Sequence, residues 1–153
     1  MTAGLFEIIK IADIHAARIQ MALNDLKEIL PFDQNKISTI EKQNLLLIEL
    51  LVSRFGQLQD LLGTKLIDIF LQEQAENIDG LSMLDKIHKL ERLEIIEDAE
   101  IWKEMRQARN HAVHEYPDHP ELTADYLNQL VALTPQLLEI LNRIKVRSAP
   151  LEE

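Results

Sequence analysis

The 153-residue sequence contains no cysteine, only four glycines and five prolines, and only 5% aromatic residues. Without cysteine the chain has no disulfide, no thiolate metal ligand and no thiol nucleophile, and we expect a cytoplasmic protein. No stretch approaches the roughly 18 to 20 consecutive apolar residues that a membrane span needs. The N-terminus also lacks the basic and then apolar segments of a secretion signal. We therefore expect neither membrane insertion nor secretion by that route.

An excess of positive charge is also missing, since the formal net charge is -10. This argues against non-specific coating of nucleic acid, which depends on clustered lysine and arginine. The charge is uneven, however. Residues 103–114 hold three cations and two histidines against one acid, whereas residues 57–79 hold five acids and one lysine. The basic segment is compatible with a small anionic site, and the acidic surface could equally meet a basic partner.

The abundance of leucine, isoleucine, alanine, glutamate, lysine and glutamine predicts an almost entirely helical chain. We predict an all-α fold, an antiparallel up-and-down bundle of four to five helices, as a single domain over 1–153 with a frayed tail at about 147–153. Ser38, followed by Glu41 at capping-box spacing, predicts the start of the second helix. Apolar periodicity, with Pro31 and Pro117 as stops, predicts helices over 3–30, 38–75, 82–93, 97–115 and 120–146.

Residues 45–52 are apolar at seven of eight positions, so a helix here is apolar on most of its circumference. Such a helix is either central in the bundle or meets another subunit. Together with the motif described next, this segment leads us to expect a homodimer.

Chemistry stands out in residues 109–116, where Arg109, His114 and Tyr116 lie close together at the end of a predicted helix. Arginine keeps its charge, so burying it costs several kcal/mol unless a carboxylate, phosphate or polar group meets it. Arg109 therefore marks a partner or a functional site. It belongs to a mostly apolar row with spacings of 3, 4, 3 and 4, which is one helix face: Trp102, Met105, Arg109, Ala112 and Tyr116.

Arg109 and His114 do not share a face on a regular helix, because five residues correspond to about 140° of rotation and roughly 7.5 Å of rise. Three arrangements could bring them together. The helix could unwind before Pro117, the arginine could reach across, or a second copy could supply the missing group across a two-fold axis.

The residue types point to phosphate-ester chemistry. The imidazole of His114 suits general acid or base work near neutral pH, and the planar guanidinium of Arg109 suits phosphate oxygens. RNA cleavage requires no metal or other cofactor when a base deprotonates the neighbouring 2'-hydroxyl and a cation stabilises the phosphate. Asn110 could orient the substrate, and Tyr116 could donate a hydrogen bond.

Other interpretations stay open. In a purely structural one, Arg109 pairs with a glutamate of a neighbouring helix, His114 caps helix carbonyls and Tyr116 packs. The chain is then a helical bundle of unrelated role.

In a metal-binding interpretation, His111 and His114 lie three residues apart and can face one ligand. No ordered metal motif is present, and a cation beside Arg109 is unfavourable, so we expect no metal. The potential ligands lie within nine residues: His111, His114, Glu115, Asp118 and His119.

The pattern Arg-x4-His-x-Tyr resembles the signature of the HEPN superfamily (higher eukaryotes and prokaryotes nucleotide-binding). The similarity is to its HepT-like toxins and nucleotidyltransferase substrate-binding proteins. Arg109, His114 and Tyr116 match the signature, and Asn110 supplies the polar residue favoured beside the arginine. The helix at 95–106 resembles the family's segment leading into the motif, and residues 52–59 resemble its second-helix signature.

The resemblance implies a dimeric helical bundle whose two motifs lie near a shared cleft. It implies a metal-independent endoribonuclease without cofactors, acting on RNA and not DNA as the toxin of a toxin–antitoxin pair. Arg109 and His114 would be catalytic, with Asn110 in support. The antitoxin would be a minimal nucleotidyltransferase that silences the toxin by transferring AMP from ATP to Tyr116. The alternative is a non-catalytic HEPN interaction or nucleotide-binding module that partners such a nucleotidyltransferase.

Overall fold

The computed structural model describes residues 1–114 and 116–149, and it confirms the all-α helical bundle. The described residues contain no β-strand. No helix among them combines the length and apolar character of a membrane span. The helices are α1 (Ala3–Leu26), α2 (Gln34–Ser38), α3 (Lys42–Leu61), α4 (Ile67–Glu73), α5 (Met83–Arg92), α6 (Ala99–Ala112) and α7 (Pro120–Ser148).

The core forms chiefly where α1 packs along α3. The long helices α1, α3, α6 and α7 each bury an apolar row, and full burial of each large side chain stabilises the fold by about 1.5–3 kcal/mol. Phe55 of α3 is fully buried, and Thr2 caps α1 by accepting a hydrogen bond from the backbone N–H of Leu5 at 3.2 Å. The apolar run 45–52 is only partly buried, because Leu45 and Leu46 remain exposed. One side of this helix, with Ile48 and Leu51, therefore lies in the core, and the side with Leu45 and Leu46 does not.

The predicted start of the second helix at Ser38 is wrong. Ser38 instead ends the short helix α2, which Asp33 caps by accepting from the Lys36 N–H at 2.8 Å. Asp33 is the first side chain after Pro31 that can cap a helix, so the chain becomes helical earlier than expected. Helix α1 correspondingly stops at Leu26, and one 3-10 turn follows it, Lys27–Ile29.

Helices α3 and α4 form one continuous helical region joined by a π-helical turn, Leu62–Leu66. The sequence predicted a helix here without a break at Gly63. A Cβ built on Gly63 would lie 3.4 Å from Cζ2 of Trp102, so the backbone of this turn approaches α6 closely. Such π turns are rare and often occur at functional sites.

The later helices follow the sequence more closely. Ser82 and Asp85 form the reciprocal bonds of a capping box at the start of α5. Helix α6 ends at Ala112, three residues before the predicted end, and Glu115 lies outside the described residues. Helix α7 reaches Ser148, so the frayed tail predicted from residue 147 is wrong for its first two residues, and residues 150–153 lie outside the described part. Pro135 lies inside α7 and does not end this helix.

A side-chain amide attaches the segment before α2 to α7. Asn128 accepts from the N–H of Phe32 at 2.9 Å and donates to its carbonyl oxygen at 2.8 Å. Because both backbone groups of Phe32 are paired, the segment is fixed against α7 although it is not part of a helix. This places α2 against α7.

Candidate phosphate-ester site at the end of helix 6

Three of the predicted site residues line a single cavity of about 920 Å³, namely Arg109, His114 and Tyr116. We call it the motif cavity. It lies between α2, α3, the end of α6 and the start of α7. Its apolar wall includes Ile48 and Val52. A cavity of this size is within the range of ligand sites.

Arg109 and His114 both line this cavity, and helix α6 ends between them. Helix α6 stops at Ala112, and the N–H of His114 bonds back to the carbonyl of His111 at 3.4 Å in a tight turn. The sequence left three possible arrangements open, and the structure has the first of them, in which the helix unwinds before Pro117. One chain thus supplies both side chains to the same cavity.

The guanidinium of Arg109 is held by the carboxylate of Asp60 on α3. Nη2 donates to Oδ2 at 2.9 Å, and Nη1 donates to Oδ1. The pair is open to solvent, since the side chains of Arg109 and Asp60 are 31% and 57% exposed. It also joins the acidic and basic segments recognised in the sequence. The structural interpretation foresaw an acidic partner, although it named a glutamate.

Gly56 of α3 makes room for the arginine. A Cβ at this position would lie 2.9 Å from Nε of Arg109, closer than side chains tolerate. The glycine therefore lets the guanidinium lie directly against the backbone of α3. Sequence reasoning missed both Gly56 and Asp60. The available signal was a glycine inside a helix with an acid four residues later on the same face.

Replacing Gly56 with alanine should therefore displace Arg109 without damaging the fold. We expect the thermal midpoint to stay or rise, because alanine favours a helix interior over glycine by about 0.8–1.0 kcal/mol. We also expect the cleavage activity proposed below to fall about 10- to 100-fold, the cost of moving a positioning group by about 1 Å. Gly4→Ala is the matched control, since nothing lies within 4 Å of a Cβ there. Full activity of Gly56→Ala would show that the Arg109 position does not matter.

His114 is exposed, and its side chain forms no hydrogen bond with the described residues. The structural interpretation expected His114 to cap helix carbonyls, and among the described residues it does not. Tyr116 does pack as that interpretation expected, because its ring lies 5.3 Å from that of Tyr126 on α7. The ring of His111 also packs on Tyr126, with 4.3 Å between the ring centroids.

Two further polar residues do not line the motif cavity. Asn110 is exposed and lines a different cavity, so the structure separates it from His114 and Tyr116. Arg54 reaches α1, where its Nη1 lies 3.0 Å from Nδ1 of His15. Burial, and then the charge of Arg54, lower the pKa of His15, which favours the neutral imidazole as acceptor.

The described residues contain no group of three or more histidine or carboxylate side chains placed to hold a metal ion. His119 instead lies 3.1 Å from the carboxylate of Glu121. Glu115, another potential ligand, lies outside the described residues.

Another cavity, of about 620 Å³, lies between residues 91–97, which precede α6, and the second half of α7. The side chains in its wall differ in charge from those of the motif cavity. Glu91, Glu94 and Glu139 contribute to its wall, which disfavours an anionic ligand. Its arginines are used structurally, since Arg143 and Arg147 donate to the backbone carbonyls of Glu94 and Leu93. The motif cavity thus remains the better candidate for phosphate chemistry. In comparisons with known proteins, no family model, curated protein or solved structure matches the chain.

Proposed function

We propose that this chain is a metal-independent endoribonuclease of the HEPN type and the toxin of a toxin–antitoxin pair. The observation that carries the proposal is that Arg109 and His114 line one cavity, although a regular helix would separate them. A fixed cation and a histidine in the same cavity are the minimum that cleavage of an RNA phosphodiester requires. The resemblance of residues 109–116 to the HEPN signature adds to this support.

The chemistry follows from the two side chains. His114 takes the proton of the 2'-hydroxyl as the 2'-oxygen forms a bond to phosphorus. Arg109 donates hydrogen bonds to the phosphate oxygens, whose charge is most concentrated in the transition state. The bond to the 5'-oxygen breaks, this oxygen takes a proton from water, and the hydroxide that is left takes the proton from His114. The products end in a 2',3'-cyclic phosphate and a 5'-hydroxyl, and His114 is neutral again.

In the free chain the carboxylate of Asp60 accepts the hydrogen bonds of the Arg109 guanidinium, so an RNA phosphate must displace this carboxylate. A solvent-exposed ion pair stabilises a protein by only about 0–1 kcal/mol. A bidentate phosphate can therefore take over the guanidinium, and Asp60 keeps the arginine in position until RNA arrives.

Silencing by a minimal nucleotidyltransferase forms part of the proposal. AMP on Tyr116 would place a negative phosphodiester and a bulky base in the cavity that contains Arg109. The adduct would compete with RNA for the same cation. A homodimer with neighbouring motifs also remains part of the proposal, although one chain already supplies both side chains to the cavity.

Incubation of the purified chain with single-stranded RNA tests the enzyme proposal. We expect cleavage that persists in excess chelator and leaves 2',3'-cyclic phosphate ends. A matched DNA oligonucleotide should stay intact, because it lacks the 2'-hydroxyl nucleophile. Loss of activity in chelator, or equal cleavage of DNA, would contradict the mechanism.

The ion pair between Arg109 and Asp60 is the observation that favours the non-catalytic alternative. In that case the pair would serve stability, and the exposed motif would serve as a docking surface for the nucleotidyltransferase. A chain that leaves RNA intact but forms a stable complex with that partner would favour this alternative.

A further inference from the structure

A smaller cavity of about 330 Å³ lies between α3 and α6, on the other side of Arg109 from the motif cavity. We call it the Gln59 cavity. On α3 and the adjoining turn, residues between 45 and 57 line the motif cavity and residues 59–64 line the Gln59 cavity. On α6 and the turn after it, residues between 109 and 114 line the motif cavity, and residues between 102 and 110 line the Gln59 cavity. Arg109 lines both cavities and therefore lies between them.

The wall of the Gln59 cavity contains buried polar atoms without partners. Gln59 is only 3% exposed, yet neither Oε1 nor Nε2 of its amide has a hydrogen-bond partner among the described residues. The same holds for Nε1 of Trp102, which is 6% exposed. Buried polar groups are almost always paired, and an unpaired one destabilises the fold. An apolar residue at position 59 would avoid this cost, so packing does not explain the glutamine.

The local backbone is also unusual, because the π turn that joins α3 to α4 contributes Gly63 and Thr64 to the same wall. A π turn interrupts the regular helical bonding and is frequently found at functional sites. The orphaned amide and the π turn are independent observations, and both point to a ligand.

The chemistry of the wall suits a nucleobase. A glutamine amide presents a donor and an acceptor side by side, which matches the edge of a base, and the indole of Trp102 adds one further donor. A phosphodiester joins two nucleosides. A phosphate on Arg109 would thus direct one nucleoside towards His114 in the motif cavity and the other towards Gln59. Single-stranded RNA can present its bases in this way because they are free to unstack.

We propose that the Gln59 cavity binds the nucleobase next to the scissile phosphate and that the Gln59 amide selects this base. The proposal rests on the ribonuclease function proposed above and adds a specificity-determining residue to it. Trp102 donates a further hydrogen bond to the base. The amide atoms lie below the cavity surface, so the exposed side chains of Arg106 and Asn110 are the ones that must move as the base enters.

Binding of short RNAs to the cleavage-impaired His114→Ala chain tests the proposal. The probes are fluorescent oligouridine hexamers with one central adenosine, cytidine, guanosine or abasic nucleotide, and the measurement is fluorescence anisotropy. We expect at least one base to bind about 5- to 150-fold more tightly than the abasic probe, the usual range for one well-formed amide–base pair. Adding Gln59→Met should remove this preference, because methionine keeps the size of the side chain and loses both polar groups.

Stability separates a lost contact from a lost fold. The thermal midpoint of Gln59→Met should equal or exceed that of the wild type, because the change removes unpaired buried atoms. Trp102→Phe is a second variant, which removes the N–H donor together with part of the ring and should weaken the preference. Gln107→Met, an exposed glutamine of α6, is the matched control and should leave the preference unchanged.

The results distinguish two kinds of failure. If the wild-type chain cleaves RNA but Gln59→Met keeps the base preference, or if the abasic probe binds as tightly as the others, base selection by Gln59 is wrong and the ribonuclease function stands. If the wild-type chain neither binds nor cleaves RNA, the proposed function is wrong and the base site falls with it.

Discussion

Replacing His114 with alanine is expected to lower the rate of RNA cleavage by about 10² to 10⁴, the usual contribution of a positioned general acid or base. Arg109 would remain, so the variant should still bind RNA. The fold should also survive, because His114 is exposed and surface substitutions usually change stability by no more than about 0.5 kcal/mol. Single-turnover cleavage of a labelled RNA measures the effect directly.

His119→Ala is the matched control for this experiment. His119 is also exposed and lies five residues further along the chain, but it does not line the motif cavity and lies beside Glu121 instead. We expect this variant to cleave RNA at close to the wild-type rate. Comparable losses in both variants, or none in His114→Ala, would remove His114 from the mechanism.

Replacing Tyr116 with phenylalanine should abolish silencing by the nucleotidyltransferase and leave most of the nuclease activity. The ring packs against Tyr126 at 5.3 Å, and phenylalanine preserves this contact while removing the hydroxyl that would accept AMP. Cells that produce the variant together with the cognate nucleotidyltransferase should therefore stop growing, whereas cells that produce the parent and the same partner should survive. Intact-mass measurement should find one AMP on the parent and none on the variant.

The chain has only two tyrosines, so Tyr126→Phe provides the control. Tyr126 belongs to the same aromatic cluster but not to the motif, and this variant should still be modified and silenced. An adduct at a site other than Tyr116, or neutralisation of Tyr116→Phe as readily as the parent, would contradict the proposed control by AMP transfer.

Local rules of the sequence predicted several features well. The helix predicted from residue 82 begins where expected, because Ser82 and Asp85 form a capping box whose bonds join residues only three positions apart. Pro117 placed the end of the motif helix to within a few residues, since the residue before a proline avoids the helical region. The prediction failed at Ser38, where Asp33, another good cap nearby, starts a helix first. Competition between two plausible caps is decided by packing, which a local pattern does not contain.

The amino-acid sequence alone predicts the helical class and the apolar row of α6 on which Arg109 lies. It also singled out Arg109, His114 and Tyr116, because arginine on an apolar face and a histidine before a proline are visible in one segment. Only the tertiary structure brought Asp60, Gly56 and Gln59 to this segment. Asp60 and Arg109 are 49 positions apart, and their contact depends on how α3 and α6 are aligned against each other. The period of a single helix shows which face is buried but does not fix its register against a neighbour.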